Sequence, residues 1–539
     1  MLASKPRPTV YARGSNEPVC SGPILAMPHY TNPVLPGFYP DPSVCRVGRD
    51  YYLVTSSFTY FPGVPLFHSR DLVHWRQLGH CLTRPDQVPL AGAPSWAGIW
   101  APTLRHRDGV FYMTTTNMPS GGNFIVTAAR PEGPWSNPIP VAQPGIDPSL
   151  FFDEDGSVFY TTSHDGALQS RIDITSGRLL SEPRVVWGGT GGQHPEGPHL
   201  YRHQGWYYLL LSEGGTEYGH MITMARSKSA WGPFEPCSRN PLLTHRSAKS
   251  PIQGVGHADL VDTPDGAWFA VALGFRPVGY PPCYHLGRET FLAPVEWSND
   301  GFPVLGAHGR LAIEQAIPPE HAMPPLEPAL APAPRDDFDA DELAQCWNYL
   351  RNPEPSLYSL AERRGHLRLR GSAHGLDDVA SPAWLGRRQC HFSVHVAACL
   401  EFEPTTAREE AGLVVRMNEQ HHYEVFVTLR NGVPSVVVRR RIGSLQAEVA
   451  SRPLPPGASR CVLAIEAASA KYTFLSGRFD SELEPLAEGE TRYLATEVAG
   501  GFTGAYFALY ASGNGAPCAG PADFDWFDYR EREAQAATP

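Results

Sequence analysis

Five residues recur in register along the first 300 positions. They are Asp41 in Asp-Pro-Ser-Val, Trp100 in Trp-Ala-Pro-Thr-Leu, Asp147 in Asp-Pro-Ser-Leu, Glu196 in Glu-Gly-Pro-His-Leu and His257 in His-Ala-Asp-Leu-Val. They stand 11, 12, 13, 12 and 12 residues before aromatics at 52, 112, 160, 208 and 269. If the segments they open are equivalent strands around one axis, three carboxylates, an indole and an imidazole meet at one mouth. Carboxylates that close repel one another, so at least one proton is held with a raised pKa. A carboxylic acid beside an ionised carboxylate is the requirement of general acid–base chemistry. Glycosidic hydrolysis uses that pair, one acid protonating the leaving oxygen while a base activates water or attacks carbon. The third acid can tune and orient the first, and Trp100 offers a stacking face for a sugar ring. Three acids and a histidine also suit Ca²⁺, but they come from separate segments with no compact loop motif.

The elements that must position these residues are short. A polar or glycine turn followed by aromatics recurs as Asp50-Tyr51-Tyr52, Gly109-Val110-Phe111-Tyr112, Gly156-Ser157-Val158-Phe159-Tyr160, Gly205-Trp206-Tyr207-Tyr208 and Gly266-Ala267-Trp268-Phe269, with steps of 60, 48, 48 and 61 residues. Each is flanked by strand-like runs bounded by turn residues, hence hairpins, with no long helical period between them. Five such units predict an all-β, five-bladed β-propeller rather than a sandwich with chance aromatics. Beyond it, seven prolines between Ile317 and Arg335 read as an extended, semi-rigid connector. About nine strand-like runs follow, among them His391–Phe402, Gly412–Met417, His422–Leu429 and Asp523–Tyr529, and fit a two-sheet sandwich. The organisation read from sequence is an N-terminal extension at 1–29, the propeller at 30–316, a linker at 317–335 and the sandwich at 336–539.

Composition narrows the partners. The 539 residues carry 44 Lys plus Arg against 55 Asp plus Glu, a net charge of −11, which leaves no cationic excess for nucleic acid. The basic triplet Arg439-Arg440-Arg441 reads as a solvated face. No run approaches the ~18 apolar residues of a membrane helix. The ten cysteines are scattered without a CxxC pair, and the N-terminus shows no signal-peptide pattern, so a reducing cytoplasm is the expected home. Oligomeric state is not legible. No phosphate loop, dinucleotide fingerprint, nucleophile elbow or zinc-protease motif occurs.

At these residues the chain resembles glycoside hydrolase family 43, the β-xylosidase and α-L-arabinofuranosidase family. The matching motifs are Gly37-Phe38-Tyr39-Pro40-Asp41-Pro42-Ser43, Gly98-Ile99-Trp100-Ala101-Pro102, Gly145-Ile146-Asp147-Pro148-Ser149-Leu150, Glu196-Gly197-Pro198-His199-Leu200-Tyr201, Gly256-His257-Ala258-Asp259 and Leu286-Gly287-Arg288-Glu289-Thr290. The resemblance implies an inverting mechanism, with Asp41 as general base, Glu196 as general acid and Asp147 raising and orienting the acid. It implies that Arg288 and His257 line the pocket and that Phe58 and Trp100 wall the sugar. Its C-terminal part looks like the concanavalin A-like jelly roll appended to family β-xylosidases, which brings an aromatic to the site, here Phe502. Two readings of the sandwich stay open, a lid over the pocket and a separate carbohydrate-binding module. A lidded pocket admits only a chain end, so the expected activity is exo-release of xylose from β-1,4-xylooligosaccharides, with arabinose removal from arabinoxylan or arabinan oligosaccharides as the alternative. No cofactor is required, though some relatives hold Ca²⁺ near the residue matching His257. A retaining fructan-cleaving propeller and a non-catalytic sugar-binding propeller are the rivals. An inverting pair needs its carboxyls ~6.5–9.5 Å apart, to leave room for water.

Overall fold

The aromatic pair that opens each hairpin works because its two rings point to opposite faces of a strand. Tyr52 meets Phe111 edge-on at 5.0 Å, Tyr112 meets Phe152 at 5.2 Å, Phe151 meets Tyr207 at 6.1 Å and His203 meets Trp268 at 5.5 Å. Each contact joins one four-stranded sheet to the next, so the repeat seen in sequence is the mortar between blades. A computed structural model describes residues 29–119, 121–317, 333–479 and 481–532. The first blade is built on Ser43–Val47, the second on Gly98–Arg107, the third on Ile146–Phe152, the fourth on Glu196–His203 and the fifth on Gln253–Asp262. Every blade is an antiparallel meander, and the fourth carries a fifth short strand, Leu243–Thr244.

The ring closes without a shared strand. His29–Thr31 pairs antiparallel with Glu314–Ala316, just past the last blade. Asn32 then bonds to Leu292 through both its amide oxygen and nitrogen, and Leu35 bridges Thr290. Because Asn32 and Leu292 are 260 residues apart, this patch ties the two ends of the propeller together.

The second unit packs two eight-stranded sheets face to face. Leu413, Val415, Val425, Val436, Leu463, Ile465, Phe507 and Phe524 lie in one apolar core between them. Alternation makes this legible: Val425 and Val427 face the core, while Glu424 and Phe426 face the other way. Arg335–Asp336 already pairs with Phe527 and Asp528, so the sandwich begins within the expected linker. Positions 1–28 and most of the proline-rich stretch (318–332) lie outside the described residues.

The structure adds strands that the sequence reading missed. Leu445–Pro453 is exposed along nearly its whole length and is held by backbone pairing to Val433–Ile442. Ala383–Arg388 buries two arginines, so it carries no apolar alternation. The arginine triplet is also not a solvated face: Arg439 is bound by Glu410 and Glu424.

One strand of the sandwich belongs to the propeller. Tyr60–Phe61 leaves blade one and pairs with Tyr349–Leu350 at the edge of a sandwich sheet. Tyr60 stacks on Tyr506 at 4.0 Å and packs beside Trp384. Buried Arg351 spans the junction, bonding the Ala93 carbonyl and pairing with Glu419, whose carboxylate also accepts from Ser95. The two units therefore share a sheet, an aromatic cluster and a buried ion pair.

Candidate active site

The residues expected to converge do so, but at two positions per blade. In blades two to five a β-bulge interrupts the first strand, between Trp100 and Thr103, Ile146 and Ser149, Glu196 and His199, and Gly256 and Asp259. Aligned on these bulges, Trp100, Ile146, Glu196 and Gly256 are equivalent, and so are Ala101, Asp147, Gly197 and His257. The sequence register had merged the two sets, because a bulge places two consecutive residues at one mouth. Asp41, Asp147, Gly197 and His257 all have positive φ, at 55, 52, 58 and 47°. A left-handed backbone costs non-glycine residues on the order of 1–3 kcal/mol, and such strain gathers where side-chain aim matters.

Asp41 is buried and fully engaged. Arg288 donates to its Oδ1 at 2.8 Å and Oδ2 at 3.4 Å, and Ser56 Oγ donates at 2.6 Å. Burial pushes its carboxyl up, but Arg288, His257 and Ser56 outweigh that and hold it below the ordinary value. Asp147 is the opposite case. Burial, with the charges of Glu196 and Asp41, pushes it up to about 7 against the pull of His257, while the Gly197 amide donates to it at 3.1 Å. Burial also raises Glu196, but His220 and then His257 bring it below its usual value. The three acids thus keep a proton among them near neutrality, and the upward shift falls on Asp147 rather than on Glu196.

Arg288 cannot act as an acid, since guanidinium stays protonated. It holds Asp41, donates to Thr216 Oγ1 at 3.0 Å and lies 5.7 Å over the rings of both Phe58 and Phe502. His257 is fixed by its amide, which donates to Ser212 Oγ at 2.6 Å. Its ring rests against Gly197, where an added Cβ would stand 3.1 Å from it.

The walls are aromatic. Phe58, at φ 51°, exchanges backbone bonds with Ile99 and faces Trp100 at 6.2 Å and Phe502 at 6.3 Å. Trp100 meets Phe502 edge-on at 5.9 Å and donates through Nε1 to the Trp96 carbonyl. Gly98 permits this approach, because a Cβ there would fall 2.2 Å from the Phe58 carbonyl oxygen. Phe502 comes from the sandwich on a loop clamped from both units. Glu497 accepts from the Tyr284 amide and Tyr218 hydroxyl, Ala505 N donates to His285 O, and Thr503 Oγ1 donates to Met417 O. Asp41, Phe58, Trp100, Ala101, Ile146, Asp147, Glu196, Thr216, His257, Arg288 and Phe502 together line one pocket. Sequence reasoning missed Ala101, Ile146, Thr216 and His220. The first two are the bulge partners of named residues, and the last two come from blade four outside the repeated motif, Thr216 to the pocket wall and His220 behind Glu196.

The residues beneath His257 do not fit Ca²⁺. Arg105 lies on Asp259 with bonds of 2.7 and 3.1 Å and donates to His199 Nδ1 at 3.0 Å, while Ser43 and Tyr201 hydroxyls bond the same carboxylate. A guanidinium already balances the charge, and burial holds His199 down at about 3. Among the described residues no group of three or more His, Cys, Asp or Glu side chains could hold a metal ion.

Five blades around an acid-lined, aromatic-walled pocket define a propeller glycosidase. Residues 30–303 match the glycosyl hydrolases family 43, and residues 335–530 match the β-xylosidase C-terminal concanavalin A-like domain. The chain belongs to glycoside hydrolase family 43. It is 43% identical over 515 residues to a non-reducing end α-L-arabinofuranosidase of Bacteroides ovatus, covering 94% of this chain and 96% of that protein. It is 39% identical over 520 residues to a xylosidase/arabinosidase of Butyrivibrio fibrisolvens, covering 93% and 99%. Among solved structures it superposes on a xylan β-1,4-xylosidase of Bacillus halodurans with a TM-score of 0.88 at 35% identity, covering 93% of this chain and all of the other.

Proposed function

We propose that the chain is an exo-acting, inverting pentosidase that removes single β-xylosyl or α-L-arabinofuranosyl units from the non-reducing ends of short oligosaccharides. The observation that carries this reading is Phe502. A side chain from the second domain packs beside Phe58 and Trp100 and extends their wall over the pocket, a closure that suits a terminal sugar rather than a through-running chain. Relatives named for each activity support both sugars.

Glu196, at the front of blade four, gives its proton to the glycosidic oxygen as the bond to the anomeric carbon breaks, and the electron pair leaves on that oxygen. A water attacks the same carbon from the opposite face, and Asp41 takes its proton. Asp41 suits a base because Arg288 and Ser56 keep it ionised. Asp147, the acid that burial and its neighbours push up, keeps a proton within reach of Glu196 and orients it through Gly197. Arg288 and Thr216 bind sugar hydroxyls. The nine described cysteines are all unpaired, which supports a reducing, cytoplasmic setting in which imported oligosaccharides are the substrate.

Parallel kcat/KM measurements on xylobiose and an arabinofuranosyl oligosaccharide, with product sizing on a long xylan, test this. Single-sugar release from at least one substrate is expected. Early internal fragments would count against the exo reading, and cleavage of the arabinoside alone would move the substrate to arabinose.

A further inference from the structure

Glu196 has a neighbour outside the repeated motif. His220 is fully buried, with Nδ1 3.3 Å from the Gly254 carbonyl and Nε2 3.2 Å from Glu196 Oε1. No hydrogen bond from any other group satisfies Nε2. Both ring nitrogens therefore face oxygen acceptors. A carbonyl only accepts, so Nδ1 carries a proton.

The fold makes room for this ring. Among the bulge-aligned positions, blade five offers Gly256 where blades two, three and four carry Trp100, Ile146 and Glu196. A Cβ on Gly256 would stand 2.2 Å from the His220 ring. No positive φ demands glycine there. Blade five gives up its pocket-facing side chain, and the imidazole from the start of Met221–Ser227 fills the space behind the acid.

We propose that His220 is a positioning residue that backs the carboxyl of the general acid from the buried side. This rests on the reading of Glu196 as that acid. An acid that must be loaded and yet strong needs two opposed influences. Asp41, with like charge, favours a protonated Glu196. His220 stabilises the carboxylate that forms as the proton moves to the departing oxygen. The other titratable groups acting on Glu196 are His257, packed on Gly197, and Asp41, which is held by Arg288. His220 alone meets the carboxyl from behind, away from the sugar. It is sealed from solvent, so it does not shuttle protons and does not touch substrate.

The test compares two aryl glycosides of one pentose, with phenol and 4-nitrophenol as leaving groups, from pH ~5 to ~9. Only the poorer leaving group needs a strong acid. Glu196→Gln serves as reference and is expected to lose ~10²-fold or more on the phenyl glycoside and far less on the nitrophenyl one. His220→Asn keeps a donor for Gly254 and removes Nε2. It is expected to lose ~10-fold on the phenyl glycoside and ~2-fold on the nitrophenyl one, with the basic limb of kcat/KM moved to higher pH, because an uncompensated carboxylate holds its proton harder. Equal losses on both substrates with an unmoved limb, while Glu196→Gln keeps its leaving-group sensitivity, would overturn the role of His220 alone. Loss of that sensitivity in Glu196→Gln would instead remove Glu196 as the acid. A measurement on the wild type does not depend on any variant folding: the nitrogen NMR signal of His220 Nε2 is expected to move as Glu196 gains and loses its proton. A signal that stays fixed through that change would contradict the proposal.

Discussion

Two cavities in this molecule gather buried carboxylates, histidine and arginine, and only one is built for chemistry. The cavity on the outer face of the sandwich sheet is the larger, about 710 Å³ against about 370 Å³ for the propeller pocket. Two of its lining acids are paired: Glu424 with Arg439, His422 and the Tyr510 hydroxyl, and Asp377 with His422 at 2.9 Å. Beside it Arg439 also binds Glu410 at 2.7 and 2.9 Å, although burial still pushes that carboxyl up. Burial raises Glu424, but Arg439 and His422 outweigh it and keep the carboxylate low. In the propeller pocket one arginine serves three acids and spends itself on Asp41, leaving Asp147 pushed up to about 7. Room does not make a site. A proton that has no settled owner does.

The contrast is broken most sharply at Asp41. Asp41→Asn should lower kcat by ~10³-fold or more while sugar binding persists, read by steady-state kinetics and calorimetric titration of xylose or arabinose. An unchanged rate would remove Asp41 as the base. Glu424→Gln should do the reverse. It leaves Arg439 and His422 facing an uncharged partner and should cost about 3 kcal/mol of stability by denaturant unfolding, with kcat retained. A drop in kcat at full stability would mean that the two cavities are not separable.

Asp147 sharpens the comparison through pH. Its raised pKa means that the folded chain holds a proton which the unfolded chain releases, between about 4 and about 7. Stability from this group therefore falls as pH rises through that window. Asp147→Asn should raise Tm by a few degrees above neutral pH and change it little in acid, while activity is lost. Glu424, with its lowered pKa, has the opposite sign, and its contribution falls as pH drops. A Tm gain for Asp147→Asn that is larger in acid would contradict this reading. The smallest effect expected is at the lid: Phe502→Ala removes one wall and should raise KM ~10-fold, the size of one lost aromatic contact, with a smaller change in kcat.

The sequence made the blades and the reacting residues legible because both repeat. The aromatic pairs must meet the neighbouring sheets at fixed intervals, and Asp41, Asp147 and His257 sit at one structural position. Its limits are equally physical. Glu196 and Trp100 lie one residue off that position, and the spacing could not separate them because a bulge shortens or lengthens each count by one. His220 and Thr216 carry no signal, since they reach the acid from the next hairpin of blade four. Nothing local at Tyr60–Phe61 shows that a two-residue run will become the edge of another domain's sheet. Phe502 was found through resemblance, not pattern, as its neighbours are glycines and threonine.

The division of labour between a base held ionised by Arg288 and an acid across the channel is tested most directly by following hydrolysis of xylobiose, or of an α-L-arabinofuranoside if that is the substrate, by time-resolved proton NMR. Inversion requires that the first sugar from xylobiose appear as α-xylose, or the first from the arabinoside as β-arabinose, before mutarotation mixes the anomers. First appearance of the anomer that keeps the substrate's configuration would make Asp41 a nucleophile rather than a base and would overturn the assignment.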